Sequence, residues 1–173
     1  MFRMRSLLLL FLVLVLNAGY SQDTLLAFYG SAVDVLTKEQ LTGLQVTAFD
    51  VLDTSDRSNA EIDTEGRFML GLFEPKDRIV VISADGYVPR RILLEMEGPT
   101  EEQWRKGYGL SLEISMYKNV PGLDLGMEEI PAGKGIYDPQ LDVFEWDRSY
   151  SRSISEQNKD MLKAYKKHTS RDQ

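Results

Sequence analysis

The sequence predicts a mainly β protein: a seven-stranded antiparallel β-sandwich within residues 22–118, then an extension over 119–173 that ends in an α-helix. Three observations carry this. Apolar and polar residues alternate with period 2 in short runs between residues 25 and 116, the mark of half-buried strands. Clusters of Gly, Pro, Asp and Asn separate the runs at close spacing, with no long helical period between them. From Asp147 onward the apolar period lengthens to that of a helix.

The first strand covers residues 25–34, with Phe28, Gly30 and Ala32 on one face and Gly30 marking a bulge or a close backbone approach. A polar connection over 37–40 leads through Gly43 to the second strand, 44–51, where Leu44, Val46 and Ala48 alternate with Gln45 and Thr47. Residues 53–59 form a loop by composition. Asp53, Asp56 and Asp63 carry the oxygens calcium prefers, but their spacing fits no calcium loop and turn chemistry accounts for them.

Ala60 and Ile62 begin the third strand and residues 68–72 form the fourth. The Asp63-Thr64-Glu65-Gly66 turn between them needs Gly66 for a positive φ and Asp63 as a forward hydrogen-bond acceptor. After a turn at Pro75, residues 79–82 are apolar in both phases, as in a central strand covered on both faces. Asp85-Gly86 turns the chain into the sixth strand, 90–96, with Ile92, Leu94 and Met96 on one side and Pro89 placing its start at an edge. A polar insertion, 97–107, opens on a helix start at 99–103 and carries Trp104 down onto the sandwich edge. Leu110, Leu112, Ile114 and Met116 mark the seventh strand. The expected core is Phe28, Ala32, Leu44, Val46, Ile62, Phe68, Leu70, Val80, Ile82, Leu94, Leu112 and Ile114.

Residues 1–21 have the form of a cleavable signal peptide: Arg3 and Arg5, an apolar run from Leu7 to Leu16, then small residues ending at Ser21. The run is short for a membrane span, so the exported chain is expected to start at Gln22, with no transmembrane segment after cleavage and a periplasmic or secreted location. The chain has no cysteine, which excludes disulfides and a lipid-modified cysteine at the new N-terminus. Without residues 1–21 there remain 18 basic against 27 acidic residues, a net charge of −9 that argues against nucleic acid as a partner.

Gly30-x-Ala32-x-Asp34, Leu41-Thr42-Gly43-Leu44-x-Val46, Asp63-Thr64-Glu65-Gly66-x-Phe68-x-Leu70 and Ser83-x-x-Gly86-Tyr87 follow one another in order. In this the chain resembles the carboxypeptidase regulatory-like domains, prealbumin-like seven-stranded sandwiches common in exported proteins of Bacteroidetes-type bacteria. The resemblance is clearest over 25–96. It departs at Lys38-Glu39-Gln40, where the family has Thr-Gly, and at Arg78, where it has an aromatic residue. It implies a structural or accessory module without catalytic residues of its own.

The residues themselves offer little for catalysis. The chain has one histidine, His168, near its end, so a paired-histidine metal site cannot form within it. Gly133-Lys134-Gly135 lacks the rest of a phosphate loop and reads as a turn. No catalytic residue, metal or cofactor is expected. Within the extension, residues 136–139 and 143–147 read as short extended pieces with aromatic anchors. Tyr150, Ile154, Met161, Leu162 and Tyr165 then make a helical stripe interrupted by Gln157 and Asn158, with Lys163, Lys166, Lys167 and His168 at its end, where cations suit the helix dipole. Three functions follow. The first is an extracytoplasmic interaction module that binds another cell-envelope protein through Trp104, Trp146 and the Tyr150, Ile154, Met161, Leu162 and Tyr165 stripe. The stripe's first turns are expected to lie on its own sandwich and its last turns to be left for the partner. The second is a carbohydrate-binding module, which requires Trp104 and Trp146 to be coplanar and exposed. The third is a hydrolase with a carboxylate pair such as Glu113 and Glu128.

Overall fold

A computed structural model describes residues 24–170; the expected signal peptide and the Gln22 start lie outside the described residues. Ten strands fall into two sheets, followed by a C-terminal helix. They are β1 (Leu26–Asp34), β2 (Gln45–Asp50), β3 (Arg57–Asn59), β4 (Glu61–Ile62), β5 (Arg67–Leu72), β6 (Arg78–Ser83), β7 (Arg90–Leu94), β8 (Tyr108–Met116), β9 (Gly133–Asp138) and β10 (Val143–Trp146). One sheet has the order β4-β5-β1-β8, the other β10-β9-β7-β6-β2-β3. A single core of residues from both sheets lies between them, including Phe28, Leu70 and Ile114 from one and Val46, Val80, Ile92 and Phe144 from the other.

Three expectations need correction. The sheets are mixed rather than antiparallel, because β8 runs parallel to β1 and β9 parallel to β7. Alternation sets which face a side chain takes and says nothing about the direction of the neighbouring strand. The loop at 53–59 and the third strand form one path that changes sheets. Arg57–Asn59 pairs with β2, and two residues later Glu61–Ile62 pairs with β5. The extension also adds two strands, with β9 extending the six-stranded sheet beyond β7 and β10 closing its edge. At its start beside Pro89 the β7 strand is paired on one side only, by β6 at Arg90, and β9 joins it over Ile92–Leu94.

Ten of the twelve expected core residues are buried. Ile62 and Leu112 have the right phase but sit on edge strands and are half-buried. Gly30 is a close approach, since a Cβ there would run into the carbonyl oxygen of Leu112 on β8. Gly66 has φ +80°, and a Cβ would meet the Leu41 carbonyl, so both conformation and space exclude a side chain. Asp63 accepts from the N–H of Glu65 and of Arg67, both at 2.9 Å, as the turn requires.

Arg78 is 4 % exposed and pairs with Asp56 at 3.2 Å and Glu74 at 3.5 Å, which neutralises a cation in the family's aromatic position. Asp53 accepts instead from the N–H and hydroxyl of Ser55. The three aspartates are therefore spent separately on turns and ion pairs.

Candidate interaction surface

The outward phase of the four-stranded sheet has small residues gathered towards one end, Ala27 and Ser31 on β1, Gly71 on β5, Gly109 and Ser111 on β8, with Val33, Arg67 and Glu113 beyond them. Three large apolar side chains stand on this floor. Tyr29 on β1 and Met69 on β5 are register partners, 45 % and 60 % exposed, and the Tyr29 ring reaches over Gly109. Phe73, just beyond β5, is 41 % exposed and covers Gly71. Beside Tyr29 and Met69 lies an open cavity of about 570 Å³, edged by Glu61, Asp63 and Arg67. Arg67 binds Asp63 at 2.7 Å and Glu65 at 3.0 Å. The guanidinium, bonded to Asp63 before all else, holds that carboxyl below its ordinary range. The apolar centre is bordered along its β4–β5 edge by these charged residues. The sequence carried the signal in the outward phase of two strands: Tyr29 and Met69 stand where polar residues belong on a solvated face.

The residues expected to bind a partner lie elsewhere and mostly inward. Trp104 is 7 % exposed. It is the last residue of a short helical turn, α1 (Glu101–Trp104), closed by a reciprocal cap between Thr100 and Gln103, and packs edge-on against Tyr108 and tilted against Phe144, both at 5.5 Å. Trp146 is half-buried, edge-on to Phe28 at 6.3 Å, and its Nε1 donates to the Ser111 carbonyl at 2.9 Å. That bond ties β10 to the edge of β8 and closes one side of the two-sheet body. Neither tryptophan forms part of a coplanar exposed platform.

The helical stripe is split between α2 (Arg148–Ser153) and α3 (Ser155–Thr169), which meet at Ile154. Asp147 caps α2, accepting from the N–H of Ser149 and Tyr150. Tyr150 donates to the Pro131 carbonyl at 2.7 Å, and Ile154 is 8 % exposed. Met161 and Tyr165 are 8 % and 2 % exposed and, with Leu162 alongside, form a second core with Val35, Tyr117 and Met127. Tyr165 lies edge-on to Tyr117 at 5.1 Å and accepts from the Lys118 N–H at 3.1 Å. The last turns therefore pack on the protein's own body. They are not left open for a partner, because the 117–132 segment supplies the apolar groove they need.

The most perturbed acid is Asp142, held at φ 53° in the β9–β10 turn. It accepts from Tyr108 at 2.6 Å, Lys106 at 2.9 Å, Tyr137 at 3.0 Å and Gln103 at 3.3 Å. These bonds, Tyr108's first, lower its pKa to about 2. Burial, then the bond to Asp142, pushes the Tyr108 hydroxyl well up. Asp34, buried at the end of β1, has the next such network. Burial alone would raise its pKa, but bonds from the N–H of Thr37 and Leu36 and from the Tyr87 hydroxyl bring it below the ordinary range. Both carboxylates fasten loops to strands. Glu113 and Glu128 line different cavities and form no pair.

No family model matches the chain, and no curated protein matches it. Among solved structures it is similar to a group B streptococcus pilus 2b backbone protein, with 12 % identity and TM-score 0.36 over 54 % of this chain and 41 % of that one. It is also similar to the 3-chlorocatechol 1,2-dioxygenase from Rhodococcus opacus 1CP, with 14 % identity and TM-score 0.36 over 54 % of this chain and 60 % of that one. The chain thus spans less than two thirds of each.

Proposed function

We propose that the protein is a non-catalytic extracytoplasmic interaction module, a prealbumin-like sandwich of the carboxypeptidase regulatory-like kind. It docks another cell-envelope protein on the outer face of its four-stranded sheet. The observation that carries this reading is the set of Tyr29, Met69 and Phe73, exposed together on a floor of Gly71 and Gly109. Such a face is flat enough for another folded surface to reach its centre. Its rim of Glu61, Asp63 and Arg67 supplies polar partners where water is excluded last. Export by cleavage after Ser21 is part of the same proposal, resting on the basic start, short apolar run and small residues of 1–21. Among the described residues no helix is long and apolar enough to cross a membrane. The module role is further supported by the use of Asp34 and Asp142 for internal fastening.

The test is a pair of charge insertions. Met69→Asp should leave thermal stability within about 0.5 kcal/mol, as surface changes do, and abolish co-purification of the partner from envelope extract. Leu52→Asp, on a loop residue 96 % exposed, should leave co-purification intact. Unchanged capture by Met69→Asp would overturn the assignment. So would a fall in the protein's own sedimentation coefficient, which would make the face a contact between two copies.

A further inference from the structure

Strand register sorts the outward side chains of the four-stranded sheet into rows. One row runs Glu61, Met69, Tyr29 and Ser111 from β4 to β8. The next holds Arg67, Ser31 and Glu113, with Asp63 bonded to Arg67 at the β4 end. The open cavity lies over Gly30 and Ser31, with Tyr29, Met69 and Arg67 among its walls. The charges around it are unevenly settled. Arg67 is the only lysine or arginine in the four strands, and it is already committed to Asp63 and Glu65. Glu61 and Glu113 are exposed, form no ion pair among the described residues, and stand on opposite flanks of the Met69–Tyr29 pair. Three strand spacings and a two-residue offset put them roughly 16 Å apart.

We infer that the partner taken by this face is a basic protein surface. It seats a large apolar side chain in the cavity between Tyr29 and Met69 and places a lysine or arginine on each side of that anchor, one for Glu61 and one for Glu113. This rests on the reading of the face as a docking surface and adds the chemistry of what docks. An apolar anchor entering a pocket is where binding energy concentrates, and a methionine wall adapts to the shape that enters. Four carboxylates, Glu61, Asp63, Glu65 and Glu113, stand against one cation, so an acidic partner would meet like charge on both flanks. The whole chain carries a net charge of −7, and its field attracts a cationic partner from a distance with the same sign. A second copy of this face is disfavoured for the same reason, since it would set acid against acid. The separation of the two free carboxylates requires the partner's cations to straddle the anchor rather than cluster on one side of it.

The test uses purified protein with a photocrosslinking residue at position 69, mixed with envelope extract at low and at high sodium chloride. The yield of the crosslinked species should fall several-fold as the salt rises. Glu61→Gln with Glu113→Gln should lower the yield at low salt by a similar factor and remove most of the salt dependence. Glu61→Lys with Glu113→Lys should abolish the species. Glu102→Gln with Glu128→Gln changes the net charge equally at two exposed sites off this face and should leave the yield unchanged. Thermal midpoints of all variants should match the parent, because every substituted glutamate is exposed. A yield that rises in the double lysine variant would overturn the inference by showing an acidic partner. A species that is indifferent to salt and to both Glu61 and Glu113 would overturn the basic partner while leaving the docking face in place. Absence of any crosslinked species from the parent protein at either salt would instead overturn the docking face itself, and this inference with it.

Discussion

Tyr165 is the side chain by which the C-terminal helix is held, and its removal measures how far α3 belongs to the folded body. An aromatic side chain buried to this degree hides roughly 150–250 Å², which at about 25 cal/mol per Å² is a gross 4–6 kcal/mol. Large-to-small replacements at such sites cost about 3–5 kcal/mol, so Tyr165→Ala should lose about 4 kcal/mol. Tyr165→Phe keeps the edge-on packing on Tyr117 and removes only the acceptor for the Lys118 N–H, at a cost of about 1–2 kcal/mol. Urea denaturation followed by far-ultraviolet circular dichroism gives both values, with hydrogen exchange of the α3 amides as the local readout. A 15-residue helix is marginal alone, so its amides should lose protection in Tyr165→Ala along with stability. A loss under about 1 kcal/mol with α3 protection unchanged would refute the docking of the last turns on the protein's own body.

Three further outcomes follow from the same geometry. Phe68→Ala, 2 % exposed and 5.5 Å from Phe28, should cost about 3–5 kcal/mol by chemical denaturation, and a loss under about 1 kcal/mol would mean β5 presents its other face to the core. Gly30→Ala should destabilise far more than an ordinary strand substitution, since the obstacle is the Leu112 backbone and cannot rotate away; an unchanged midpoint in urea would contradict the close approach. Asp142 has its folded pKa, about 2, below its unfolded value, so its contribution is present above about pH 4 and is lost as pH falls through 2. Asp142→Asn should therefore lower the thermal midpoint at pH 7 and leave it nearly unchanged at pH 2, and equal losses at both would show that the carboxylate's charge is irrelevant.

Side-chain phase was the part of the fold most readable from the sequence. Phe28 and Ala32, Val80 and Ile82, and Leu94 all face inward as their alternation requires, because burial on one face leaves a period-2 record in each strand. Direction and partnership leave no such record. Nothing in Leu110, Leu112 and Ile114 says that β8 runs parallel to β1, and Gly133-Lys134-Gly135, read as a turn, is the start of β9. Those glycines make room for a neighbour: a Cβ at Gly133 would crowd Trp146 and one at Gly135 would crowd Leu94 and Leu110, so their smallness serves packing. The same limit explains the surface. Trp104, Met161 and Tyr165 look like binding residues until the groove made by β10 and the 117–132 segment is known to cover them. Arg90 and Arg91 are alike in sequence, and only the fold shows that the first is buried and the second exposed.

The docking face on the four-stranded sheet is tested most directly by placing a photocrosslinking residue at Met69 and at the exposed loop residue Leu52, one at a time, in cells that export the protein. A discrete crosslinked species should form from position 69 and not from 52, and it should disappear when Tyr29→Asp is added to the same chain. Crosslinks of equal yield from both positions, or a species that survives Tyr29→Asp, would contradict the account.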